Sequence, residues 1–157
     1  MKPASINEIK KELENLASEE RLALCIRLAK YKKENKELLS FLLFESRDIS
    51  GYLKAIKEEI DTFFEGINTS NIYFIKKSIR KILRHVNKQI KFTASKEVEV
   101  EILLHFCNKM VDAGIPFKKS AALLNLYEAQ VKKINAALSV LHPDLQHDLK
   151  KQLMPRA

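Results

Sequence analysis

Residues Asn71–Phe92 read NIYFIKKSIRKILRHVNKQIKF, and their pattern decides the fold class. Placed at about 100° per residue from Lys76, the cations Lys76, Arg80, Lys91, Arg84, Lys77, Lys88 and Lys81 fall in one arc of about 140°. Ile72, Ile75, Ile79, Ile82, Leu83, Val86 and Ile90 fall between about 240° and 340°, and the two arcs do not overlap. This separation predicts a long amphipathic helix with one apolar face and one cationic wall. Only Tyr73 and Asn87 interrupt the wall.

The net charge of +8 belongs to this helix. Between Glu65 and Glu97 there are eight Lys or Arg and no acidic residue, which leaves 20 basic and 20 acidic residues elsewhere. Like charges one helical turn apart repel. Either acidic residues of neighbouring helices neutralise the wall, or it stays open for an anionic partner. Glu58, Glu59, Asp61 and Glu65 on one side, and Glu97, Glu99 and Glu101 on the other, are the nearest in sequence. The cations rise by about 6 Å per turn, close to a phosphate repeat, and Tyr73 offers a ring for stacking on a base. An anionic membrane surface ranks lower as a partner, because the apolar face lacks Trp and reads as core-facing.

Outward from this helix the chain reads as helices throughout. Three Gly and four Pro are too few for the turns of a β-rich protein. Ser5 and Glu8 form a capping box before Ile6, Ile9, Leu13 and Leu16. Ser18 caps a second helix carrying Leu22, Cys25, Ile26, Leu28 and Ala29. Asn35 starts a third, Lys36–Ser46, whose LLSFLLF run is apolar nearly all round and predicts burial on more than one side. Ser50 and Gly51 open a fourth, with Tyr52, Leu53, Ile56, Ile60, Phe63, Phe64 and Ile67. Ser95 caps a sixth, striped by Val98, Ile102, Leu103, Phe106, Met110 and Val111, and Gly114 and Pro116 end it. A seventh runs from Lys118 to about Leu141, and Pro143 opens a short last helix. The expected architecture is one all-helical domain over residues 1–157. It is either an irregular multi-helix bundle or a short HEAT-like array of antiparallel helix pairs at about 5–46, 50–92 and 95–141.

Leu124, Tyr127, Val131, Ile134, Leu138 and Leu141 form a heptad seam, which suits packing inside a bundle or a homodimer interface. A looser reading of the same stretch is a helix-turn-helix with Asn125 at the turn and Gln130, Lys132 and Lys133 facing DNA, but the uninterrupted heptad favours one continuous helix. Cys25 and Cys107 lie in apolar runs without a CxxC spacing and are expected to be reduced core residues. Asp144, His147 and Asp148 share a face near the end of the chain, where solvation is a better account than metal binding. No phosphate loop, HExxH or GxSxG occurs, so no catalytic residue, metal or cofactor is expected. The N-terminus has no signal-like apolar stretch, and the longest charge-free runs are about half the roughly 20 residues of a membrane span. A cytoplasmic location is expected.

The stretch LENLASEERLALCIRLAKYKKENKELLSFLLF, from Leu13 to Phe44, resembles the opening of small bacterial all-helical proteins of unknown function. Those begin Leu-x-x-Leu-Ser-x-Glu-Glu-Leu. Leu13, Leu16, Ser18, Glu19, Glu20 and Leu22 carry the likeness, with Ala17 intervening and Arg21 shifting the pattern by one. The resemblance implies an all-helical domain and no activity. Taken together, the residues predict a non-enzymatic interaction module whose basic face, residues 73–91, binds an acidic partner. Nucleic acid bound through its phosphates is the alternative partner, and an enzyme is a distant third.

Overall fold

In a computed structural model that describes residues 1–155, the protein is all-helical, with no strand among them. The chain divides into two compact units, Met1–Glu45 and Ser46–Ala157.

The first unit holds α1 (Ile6–Asn15), α2 (Ser18–Tyr31) and α3 (Lys33–Ser40), which runs into a π turn, Phe41–Glu45. The Ser5 box forms as expected: Ser5 Oγ accepts from Glu8 N–H at 3.3 Å, and the Glu8 carboxylate accepts from Ser5 N–H at 2.7 Å. Ser5 Oγ–H also donates to the Glu8 carboxylate at 2.7 Å, and this bond, together with the one from Ser5 N–H, holds the carboxyl below its usual pKa. At α2 the cap shifts by one residue. Ser18 is the first helical residue, and Glu20 reaches back to the N–H of Ala17 at 2.9 Å. Asn35 does not start α3. Its side chain instead donates to the Leu28 carbonyl at 2.8 Å and so satisfies a carbonyl near the end of α2.

The LLSFLLF run departs from expectation. Phe41 is buried, but Leu38, Leu42, Leu43 and Phe44 are exposed. An apolar circumference removes the polar face of a helix without supplying neighbours to cover it. Here α-helical geometry also stops at Ser40, before the run ends.

The second unit is a bundle around one helix. α4 (Ile49–Glu65), α5 (Ile72–Thr93) and α7 (Ala121–Leu138) each pack against α6 (Lys96–Asp112). A short 3-10 turn, Phe117–Lys119, precedes α7, and α8 (Pro143–Lys150) follows it. Val100, Ile102, Leu103, Phe106, Cys107 and Met110 of α6 have no exposed surface. α6 is therefore buried over more than the stripe its spacing suggested, with Glu97, Glu101, His105 and Asn108 left along its partly exposed side. α4 contributes Ile56, Ile60 and Phe64 to this core, α5 contributes Ile75, Ile79, Ile82 and Val86, and α7 contributes Leu123, Tyr127, Ile134 and Leu138. Asp48, rather than Ser50, caps α4 by accepting from Gly51 N–H at 3.0 Å.

Polar ties cross between the helices of this bundle. Lys57 and Glu101 pair at 2.9 Å between α4 and α6, and Tyr52 donates to Gln89 between α4 and α5. Asp61 accepts from His105 at 2.6 Å and from Lys109 at 3.1 Å. Partial burial acts to raise the Asp61 pKa, but the hydrogen bonds and charges of Lys109 and His105 outweigh it and hold the carboxyl below its usual range. Asn108 donates to the Gln152 carbonyl at 2.7 Å and accepts from Met154 N–H at 2.8 Å, which fastens the chain after α8 onto α6.

The cysteines divide. Cys107 lies in the core, where burial pushes its thiol up to about 12, while Cys25 is exposed and so is not the core residue its apolar run suggested.

Candidate anion-binding face of α5

Asn71 caps α5 as its side chain accepts from Phe74 N–H at 3.0 Å, and the helix then runs unbroken to Thr93. Burying Ile75, Ile79, Ile82 and Val86 against the core fixes the rotation of the helix. The cationic wall on the opposite side is thereby turned outward. Lys77, Arg80, Lys81, Arg84 and Lys91 are exposed, as is Tyr73, while Lys76 is half-buried. Lys88 is also half-buried and already has an interaction within the protein.

The acidic residues nearest in sequence do not cover this wall. Glu59 pairs with His85 at 2.8 Å, Glu58 with Lys54 at 4.0 Å, Glu99 with Lys96 at 2.8 Å and Glu101 with Lys57. Asp61 is taken by His105 and Lys109. His85 lies at the edge of the cationic arc, where its ring also meets Phe63 edge-on at 5.1 Å. Glu59 therefore reaches His85 and not the middle of the wall. Among the described residues, Lys76, Lys77, Arg80, Lys81, Arg84 and Lys91 form no ion pair.

Two open grooves run along the face. Tyr73, Lys76, Lys77, Arg80, Leu83, Arg84 and Asn87 line one of about 660 Å³. Asn87 also borders the second, of about 520 Å³, with Lys91, Lys96, Glu99 and Lys133. Leu83, assigned from spacing to the apolar face, is half-buried at its rim and gives the first groove an apolar wall. Lys133 comes from α7, far away in sequence, and no periodicity within α5 points to it. A third groove, between α4 and α6, is lined in part by Lys57, Asp61 and Glu101, whose charges already pair.

On α7, Tyr127, Ile134 and Leu138 are buried and Leu124 and Val131 half-buried, while Leu141, the last residue of the expected seam, lies beyond the helix end and is half-buried. The helix continues through Asn125 without a break, so the helix-turn-helix reading fails. Ser120 is the cap that starts it, accepting from Leu123 N–H at 3.3 Å. Among the described residues, no group of three or more His, Cys, Asp or Glu is placed to hold a metal ion. No helix among them is long and apolar enough to cross a membrane. No family model matches the chain, and no curated protein or solved structure matches it either.

Proposed function

We propose that this protein is a non-enzymatic helical interaction module that binds an acidic partner along the Tyr73–Lys91 face of α5. One observation carries the proposal: Lys77, Arg80, Lys81 and Arg84 stand exposed on successive turns with no carboxylate paired to them. Their mutual repulsion, roughly a few tenths of a kcal/mol per i,i+4 pair, is not offset by any ion pair among the described residues. A polyanion laid along the helix relieves it and gains the attraction of the whole row. The free cysteines, one of them exposed, fit a reducing, cytoplasmic setting for such a module.

A second reading makes the partner a nucleic acid. It is favoured by Tyr73, 64% exposed at one end of the first groove, where a base can stack while phosphates follow Lys77, Arg80 and Arg84.

Fluorescence anisotropy with labelled single-stranded RNA, duplex DNA and a polyglutamate peptide tests both readings. A nucleic-acid partner requires log affinity to fall against log salt by about 0.7–0.9 per phosphate contacted. The triple variant Lys77→Glu, Arg80→Glu, Arg84→Glu should lose binding while its circular dichroism stays unchanged, since all three side chains are exposed. Failure of both nucleic acids at low salt removes the second reading. Failure of the peptide as well removes the first.

A further inference from the structure

The two grooves along α5 offer more than charge, and what they add narrows the partner. All their lining residues lie in the second unit, on α5, α6, α7 and the α5–α6 link. The first groove sets apolar surface among its cations: Leu83 beside Arg80 and Arg84, with Tyr73 at one end. A track for phosphates alone has no use for an apolar wall. Asn87 lies one turn beyond Leu83 and borders both grooves. Among the described residues no hydrogen bond engages its side-chain amide. An amide both donates and accepts, which complements the edge of a base, whereas a phosphate oxygen only accepts. The second groove adds Lys133 of α7 to Lys91 of α5. Lys133 is exposed and forms no ion pair among the described residues, while Lys96 in the same groove is paired with Glu99 at 2.8 Å.

These features separate a single strand from a duplex. The major groove of B-form DNA is about 12 Å wide and admits a helix that stands clear of its neighbours. α5 does not stand clear toward its C-terminal end, because α7 brings Lys133 into the same groove as Lys91. A duplex can therefore present only its phosphates to this face, and Leu83 and the Asn87 amide gain nothing from it. A single strand has unstacked bases that can turn into a groove while its backbone follows the cations. Lys77 and Lys91 are 14 residues apart on one helix, about 21 Å, so roughly one phosphate per turn gives about five contacts.

We propose that the two grooves form one continuous site for a single strand of nucleic acid, an inference that rests on the nucleic-acid reading of the α5 face and narrows it. The phosphates follow Lys77, Arg80, Arg84 and Lys91 and end on Lys133. One base stacks on Tyr73, and another lies over Leu83 with its edge on the Asn87 amide.

Anisotropy of the full chain with three labelled probes of equal length tests the proposal: an oligothymidylate of about 12 nucleotides, a duplex, and an abasic deoxyribose-phosphate strand. The oligothymidylate should bind about tenfold more tightly than the duplex, with log affinity falling against log salt at a slope of about 3–4, or about 0.7 for each of about five phosphates. Tyr73→Ala should weaken the oligothymidylate about tenfold and Asn87→Ala about fivefold, and neither should change the affinity of the abasic strand. Lys133→Ala should lower the salt slope by about 0.7 on both strands. Wild-type affinity for the abasic strand also shows that a variant is folded. If Asn87→Ala does not fold, Tyr73→Ala and Lys133→Ala decide. A duplex bound as tightly as the single strand overturns the proposal but leaves nucleic-acid binding through phosphates standing. So does a Tyr73 or Asn87 variant that weakens both strands equally or neither, and so does an unchanged slope in Lys133→Ala. Failure of all three probes at low salt overturns the nucleic-acid reading itself.

Discussion

α2 and α6 start from similar material and end in opposite environments. α2 carries Leu22, Leu24, Cys25, Ile26 and Leu28 within its 14 residues and buries none of them. α6 has 17 residues and buries eight, among them Phe106 and Met110. Intrinsic apolarity does not separate them. What does is that α6 has α4, α5 and α7 packed around it, while α2 packs chiefly on α3. A helix with apolar residues on several faces stays exposed unless the topology supplies a neighbour for each face.

The sharpest way to break this comparison is to shorten one side chain in each helix. Phe106 is fully buried and packs against Phe64 with ring centroids 5.8 Å apart. Phe106→Ala should cost about 3–5 kcal/mol of unfolding free energy, because it removes transfer energy and leaves a cavity in a dense core. Leu28→Ala should cost less than about 0.5 kcal/mol, as expected of an exposed position. Urea unfolding of both variants against wild type measures the two losses. Comparable losses would mean that α2 has a covered face after all.

A smaller effect in the second unit depends on pH. Asp61 joins α4 to α6, and its folded pKa is depressed while its unfolded value is the ordinary one. The stability it contributes is therefore fully present above the unfolded pKa of about 3.9 and is lost as pH falls through the folded value. Asp61→Asn should cost about 1 kcal/mol near neutral pH, a figure reduced for the partial exposure of the pair. The gap between wild type and variant should close below about pH 4. Thermal melts of both proteins between neutral and acid pH read it directly. A gap that stays constant through the acid range would show that Asp61 acts by packing alone.

Much of the second unit was legible because helix period and burial agree there. The apolar face of Ile75, Ile79, Ile82 and Val86, the cationic wall and the stop at Gly114 all follow from local chemistry. The exposure of Lys77, Arg80 and Arg84 was a different matter. It depended on where Glu59, Asp61 and Glu101 found partners, and those partners, His85, His105, Lys109 and Lys57, lie at least 26 residues away. Lys133 joins the second groove from another helix, which no short-range pattern encodes. The LLSFLLF segment misleads for a related reason: residue type reports the cost of exposure, and only packing reports whether exposure occurs. Caps proved movable by a residue or two where Ser, Asp and Glu compete, as at Ala17 and Asp48.

The links between helices carry the comparison one step further. Between α2 and α3 stands a single extended residue, Lys32, with an ordinary φ of −141°. Between α5 and α6 stands Ala94 with φ +50°, a left-handed conformation that a Cβ disfavours by about 1–2 kcal/mol. It persists because both flanking helices bury faces in one core and because Ser95, directly after it, caps α6 by accepting from Val98 N–H. Glycine at this position removes the Cβ clash but also frees the unfolded chain, which returns part of the gain. Ala94→Gly is thus expected to stabilise the second unit by about 0.5 kcal/mol. Lys32→Gly should destabilise or do nothing, since its backbone has no strain to release. Paired denaturation curves decide between these outcomes. Destabilisation by Ala94→Gly would show that the turn is held without strain, and that the tight α5–α6 link does not depend on the packing of its helices.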